Sequence, residues 1–124
     1  DKLVGDEVMA LYLPQLLSDG FEDDMLRDAT ELVGSAGPAL GVGLDVGTAY
    51  VGNVGAGDVK DFTALGDVVN TASRLQSAAE GGQIVLSERL FGRLTDGPPE
   101  ARATSLTLKG KSEAEPARVI YGSR

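Results

Sequence analysis

The chain has 124 residues with 42% apolar content, a size at which one domain can bury a core without disulfides or a structural metal. Cysteine and histidine are absent and no apolar run approaches the ~20 residues of a bilayer span, so disulfides, the usual zinc ligands and a transmembrane helix are excluded within this sequence. A net charge of −8 disfavours a surface that grips nucleic acid or membrane through clustered Lys and Arg, and with no basic or apolar leader before Asp1 the cytoplasm is the expected compartment.

Gly5-Asp6, between Leu3-Val4 and the apolar run Val8 to Leu13, predicts a β-hairpin tip. From Phe21 to Val33, apolar Phe21, Met25, Ala29 and Leu32 recur at helical spacing, with Glu22, Asp23, Asp24 and Asp28 expected to face water and Gly34 to fray the end. After Gly37-Pro38, the alternating LGVGLDV (40 to 46), the turn residue Gly47 and AYVGNV (49 to 54) predict a second hairpin. Thr63-Ala64-Leu65 reads as extended, and Gly66-Asp67 opens a helix whose Val68, Ala72, Leu75 and Ala79 lie within about 40° of one another on a helical wheel. Gly81-Gly82 ends it, QIVLS (83 to 87) is a strand, and Ser87 is placed to cap a short helix through Leu94 with Glu88 in its first turn. Two strands near 102 to 108 and 117 to 121 flank the loop KGKSEAEP. Hairpins outnumber crossovers, so an α+β sandwich with helices packed on a mixed or antiparallel sheet is expected, without internal repeats or an interdomain linker.

Asn70 and Arg74 stand four apart on the central helix, on the face opposite the Val68, Ala72, Leu75 stripe. Alone, such a pair is more often a solvated polar face than a binding one. KGKS (109 to 112) lacks the P-loop, because the glycine required five residues before Gly110 is Ser105. GVGLDVG likewise misses the dinucleotide fingerprint, its third glycine falling one place late at Gly47. Asp6 offers carboxylate oxygen to a hard cation such as Mg²⁺, although a turn aspartate is usually only a turn former.

In order, DKLVGDEVMALY, GVGLDVGTAYVGNVG, DFTALGDVVNTASRL, GQIVLSE and LKGKSEAEPARVI resemble the class III nucleotide cyclase catalytic domain in its bacterial adenylate cyclase form, from Lys2 to Tyr121. The resemblance implies a ferredoxin-like α+β domain working as a head-to-tail homodimer, with each active site shared between protomers. It assigns Asp6 to one of two aspartates holding two divalent cations, Mg²⁺ or Mn²⁺, on the ATP triphosphate; Lys2 and Thr63 to the base; Asn70 to the ribose; Arg74 to charge developing on the phosphate; and Lys109 to the triphosphate. Lysine donates only, whereas a threonine hydroxyl donates and accepts, so adenine, with its N1 acceptor and 6-amino donor, suits Lys2 and Thr63 better than guanine does. Threonine in place of the commoner aspartate at position 63 resembles a subgroup described as bicarbonate-stimulated.

By the same resemblance, the family domain has an earlier strand, bearing the first metal aspartate in a pattern like F-x-D-I-x-G-F-T, and two helices before Asp1. No F-x-D-[IVL] stretch followed by a glycine and an aromatic occurs in this sequence. Residues 1 to 124 are therefore expected to be the C-terminal two-thirds of one catalytic domain, by truncation or with upstream residues outside this sequence in preference to completion by another chain, inactive alone and active as part of the full-length protein. The competing expectations are a catalytically silent cyclase-like regulatory or nucleotide-binding module, and a generic ferredoxin-like binding domain with no nucleotide dependence.

Overall fold

A computed structural model of the chain describes residues 20–36, 40–47, 50–54, 61–107 and 113–121. The Gly5-Asp6 hairpin tip lies outside the described residues. Among them are helices α1 (Phe21–Ala36), α2 (Asp67–Ala78) and α3 (Glu88–Phe91), and strands β1 (Val42–Leu44), β2 (Tyr50–Val54), β3 (Asp61–Leu65), β4 (Gln83–Ser87), β5 (Arg102–Leu106) and β6 (Glu115–Tyr121).

Four strands form a mixed sheet in the order β1-β4-β6-β5, with β1 parallel to β4 and the other neighbours antiparallel. Strand β4 is buried along its whole length because both of its faces are covered. Ile84 and Leu86 join Met25, Ala29 and Val33 of α1 in one apolar cluster, completed by Val46, Leu90, Ala101 and Ile120. Val85 packs instead with Leu75 of α2, Ala117 and Val119. The period-2 alternation of a strand thus sends successive residues to helices on opposite sides of the sheet.

Strand β1 obeys the same alternation with a difference of size. Leu40, Val42 and Leu44 pack on the α1 side. On the other side stand glycines, and α2 lies directly on their backbone. A Cβ on Gly43 would fall 2.3 Å from the backbone nitrogen of Gln76 and 2.4 Å from the carbonyl oxygen of Ala72. A Cβ on Gly41 would meet Ala79, and Gly47 already lies against Val68, 3.2 Å from where its own Cβ would be. Glycine here serves close approach, not a turn.

Three sequence expectations change. The stretches 40 to 46 and 49 to 54 do not form a hairpin with each other: β1 pairs with β4, and the antiparallel partner of β2 is β3, with Gly52 opposite Thr63. The local pattern of alternation and glycine is common to both arrangements, and only long-range pairing distinguishes them. In α1 the buried positions are Met25, Ala29 and Val33, spaced four apart, whereas Leu32 is 57% exposed. The acids of its first turn are also engaged: Glu22 is within 3.6 Å of Arg93, and Asp23 accepts hydrogen bonds from the amide and hydroxyl of Thr95. Finally, α3 stops at Phe91 rather than Leu94, although Ser87 caps it as expected, its Oγ accepting from the Leu90 amide at 3.2 Å.

In α2 the deepest positions are Thr71 and Leu75, both fully buried, with Val68, Ala72 and Ala79 partly covered. Among the described residues the Thr71 hydroxyl has no hydrogen-bond partner. A buried polar group without a partner destabilises by roughly 1 to 3 kcal/mol. Thr71→Val, which keeps the shape and removes the hydroxyl, is therefore expected to leave stability unchanged or raise it by about 1 kcal/mol in chemical denaturation; a clear loss would mean that the hydroxyl is satisfied. Gly43→Ala is expected to destabilise by about 3 kcal/mol, because the obstructing atoms are helix backbone that cannot rotate aside. A denaturation midpoint equal to that of the parent protein would show that α2 does not rest on β1.

Candidate active site

Helix α2 carries the two described side chains assigned to chemistry. Its start is set by Gly66, the residue between β3 and α2, at φ 148° and ψ 162°, a region essentially reserved for glycine. The Gly66 carbonyl accepts from the amides of Val69 and Asn70 at 3.2 and 3.3 Å, closing the first turn without a side-chain cap. Asp67 in that turn places negative charge at the positive end of the helix.

With Thr71 and Leu75 held against the sheet, the opposite face turns outward. Asn70 is exposed and Arg74 half-buried, one turn apart on that face. Among the described residues neither side chain makes a hydrogen bond or ion pair, so an amide and a guanidinium fork are both available to a ligand. Thr63 occupies the middle of β3, opposite Gly52 of β2 and three residues before the Gly66 turn. Its backbone therefore lies on the strand that feeds α2. Lys2, Asp6 and Lys109 lie outside the described residues, which contain no group of three or more carboxylates able to hold a metal ion. No described helix is long and apolar enough to cross a membrane.

At the end of β1 the structure contains a charged cluster that sequence reasoning passed over. Asp45, just beyond β1, has a fully buried side chain. Its Oδ1 accepts from the Val46 amide at 2.8 Å, from the Ser87 hydroxyl and from Arg89 Nε at 2.8 Å, while Oδ2 accepts from Arg89 Nη2. A buried carboxylate needs such partners, and the planar guanidinium supplies two parallel bonds. The hydrogen bond to Asp45 is the largest cause raising the Arg89 pKa above its ordinary value; Glu115 and Asp67 are also close enough to add to it. The available signal was a lone acid in the apolar alternation of LGVGLDV, with an arginine two residues beyond the capping serine.

The sequence profile of the family described as Adenylate and Guanylate cyclase catalytic domain matches residues 21–118. An adenylate cyclase of Anabaena cylindrica is 31% identical over 134 residues, an alignment covering 92% of this chain and 26% of that protein, so the chain spans a minor part of the relative's length. The solved adenylyl cyclase CyaB of P. aeruginosa is 29% identical with a TM-score of 0.53, over 82% of this chain and 53% of that one. The guanylate cyclase domain of RhGC from Catenaria anguillulae, solved with GTP, shares the fold at a TM-score of 0.62 and 22% identity, over 87% and 64% of the two chains. Matched in sequence along most of its length and in fold to solved members, the chain belongs to the adenylate and guanylate cyclase catalytic domain family.

Proposed function

We propose that this chain is the C-terminal two-thirds of a catalytic domain that converts ATP to 3′,5′-cyclic AMP and pyrophosphate in the cytoplasm, for signal transduction, as a homodimer with shared active sites. The observation that carries this is the pairing of Asn70 and Arg74 on the outward face of α2, at the family's motif positions and with no partner among the described residues. Coverage of 53% and 64% of two solved cyclase chains supports a part rather than a whole of the domain.

In the proposed reaction the ribose 3′-hydroxyl loses its proton to water, its oxygen forms a bond to the α-phosphorus, the bond from that phosphorus to the bridging oxygen breaks, and pyrophosphate leaves. Asn70 holds the ribose so that its 3′-oxygen faces the α-phosphate; such positioning removes much of the entropic barrier. Arg74, always charged and fork-shaped, donates to phosphate oxygens whose charge grows as the leaving group departs. Lys109 contacts the triphosphate as a point charge. Lys2 donates to adenine N1 and Thr63 accepts from the 6-amino group, whereas the N1 hydrogen of guanine would face the lysine donor. Asp6 and a second aspartate upstream of Lys2 are assigned two Mg²⁺ or Mn²⁺ ions per site. When bound, these ions supply activation of the 3′-hydroxyl and neutralisation of the leaving pyrophosphate.

In the full-length protein, Arg74→Ala is expected to lower cyclic AMP turnover by about 10²-fold or more with unchanged circular dichroism and melting temperature, because the side chain makes no hydrogen bond or ion pair among the described residues. Full turnover in the folded variant would remove Arg74 from the mechanism. The parent protein is expected to use ATP over GTP by about 10²-fold or more in kcat/KM. Equal use of both nucleotides would overturn the base assignment of Lys2 and Thr63 while leaving cyclase activity intact.

A further inference from the structure

We infer that Asp45 and Arg89 are positioning residues for the cyclase reaction, a latch that sets where the start of α2, and with it Asn70 and Arg74, stands relative to the sheet. The inference rests on the function proposed above for α2.

The geometry is built in three steps. Gly41 and Gly43 face α2, and by strand alternation Asp45 continues on that side; its bond to Ser87, which pairs with Ala117 of the α2-side cluster, agrees. Helix α2 runs antiparallel to β1, because Ala79 lies at Gly41, Gln76 and Ala72 at Gly43, and Val68 at Gly47. Asp45 therefore sits toward the first turn of α2, between the glycine that carries the middle of the helix and the one that carries its start. Its carboxylate bonds the Val46 amide, fixing the backbone that leads into Gly47 and so the seat of Val68. On the other side Arg89 reaches from α3 to both Asp45 oxygens. Asp67, the first residue of α2, lies within electrostatic range of the same guanidinium. One half-exposed arginine thus holds the Asp45 carboxylate, which itself bonds the Val46 amide after β1 and the Ser87 hydroxyl that caps α3, within electrostatic range of the opening residue of α2.

A core that merely needed filling would not place a carboxylate here, since a buried charge requires all of its bonds satisfied to be tolerated. The arrangement is directional: it resists sliding of α2 along the glycine track, a motion that apolar contacts with glycine resist little. Displacement of a reacting group by about 1 Å can lower turnover by about 10²-fold.

The test uses the full-length protein with Asp45→Asn, Arg89→Gln and Arg89→Lys, each checked by circular dichroism and melting temperature, and counts turnover per folded molecule. The expected result is that Asp45→Asn and Arg89→Gln lower kcat by about 10-fold or more while KM for ATP stays within about threefold, the pattern of a contact realised in the transition state. Arg89→Lys, which keeps charge but not the fork, is expected to fall between Arg89→Gln and the parent. A kcat per folded molecule within twofold of the parent in both Asp45→Asn and Arg89→Gln overturns the inference. If the parent protein itself forms no cyclic nucleotide, the functional proposal fails, and the latch is read from hydrogen exchange. The amides of Val69 to Thr71 are then expected to exchange at least tenfold faster in Arg89→Gln, with those of β4 unchanged. Equal exchange at the start of α2, or acceleration spread evenly over α2 and β4, overturns it.

Discussion

The structure depends on one close contact: helix α2 lies on the bare backbone of β1. Helices usually stand off a sheet by the thickness of the intervening side chains. Here Gly41 and Gly43 remove that layer, and the Cβ positions they leave empty are occupied by backbone and Cβ atoms of Ala72, Gln76 and Ala79. The helix cannot tilt inward, because backbone meets backbone, and Leu75 locks against Val85, Ala117 and Val119 beneath it. The face carrying Asn70 and Arg74 is therefore presented by a rigid support rather than by a loop. Precision at a catalytic face comes from such supports.

Contact with glycine has little shape along the track, and polar interactions complement it. Gly66, at a φ that other residues rarely adopt, sets where the helix begins. The Asp45 carboxylate joins the end of β1 to Ser87 and Arg89, and Ser87 in turn caps α3. Elsewhere Arg118 makes a comparable connection, with bonds to both Glu88 oxygens and to the Ala101 carbonyl and its guanidinium 4.2 Å from the centre of the Phe91 ring. Breaking a pair with one fully buried member can destabilise by about 3 to 5 kcal/mol, with the half-exposed position of Arg89 lowering that figure. These charges lie at the junctions of elements, where apolar packing alone would leave orientation poorly determined.

Legibility differed from element to element for physical reasons. QIVLS appeared as a strand because a segment covered on both faces has an apolar centre, here Ile84 to Leu86, without alternation, and it is β4 to the residue. The opening of α2 at Gly66-Asp67 and the cap at Ser87 were legible because they are local. The partner of β1 was not, since strand pairing is decided by contacts distant in sequence. Leu32 and Val33 are consecutive in sequence and about 100° apart on the helical wheel, and which of them is buried depends on how α1 rolls onto β4 and β1. In the candidate site, the sequence pattern named Asn70 and Arg74 and the fold put them on one open face, but it named neither Asp45 nor Arg89. Those two are 44 residues apart, and their pairing exists only in the folded chain.

By itself the sequence determined the family, the elements with strong local signals, and the residue types proposed to meet a nucleotide: an amide, a guanidinium, a threonine and the lysines at positions 2 and 109. Those follow from motif spacing and from short-range preferences that act within a few residues. Tertiary structure alone decided that Gly41 and Gly43 of GVGLDVG are a seat for α2, and that Asp45 is a buried carboxylate bonded to Val46, Ser87 and Arg89. A glycine is the same letter whether it bends the chain or makes room for a helix, and only the packing of a distant segment against it distinguishes the two.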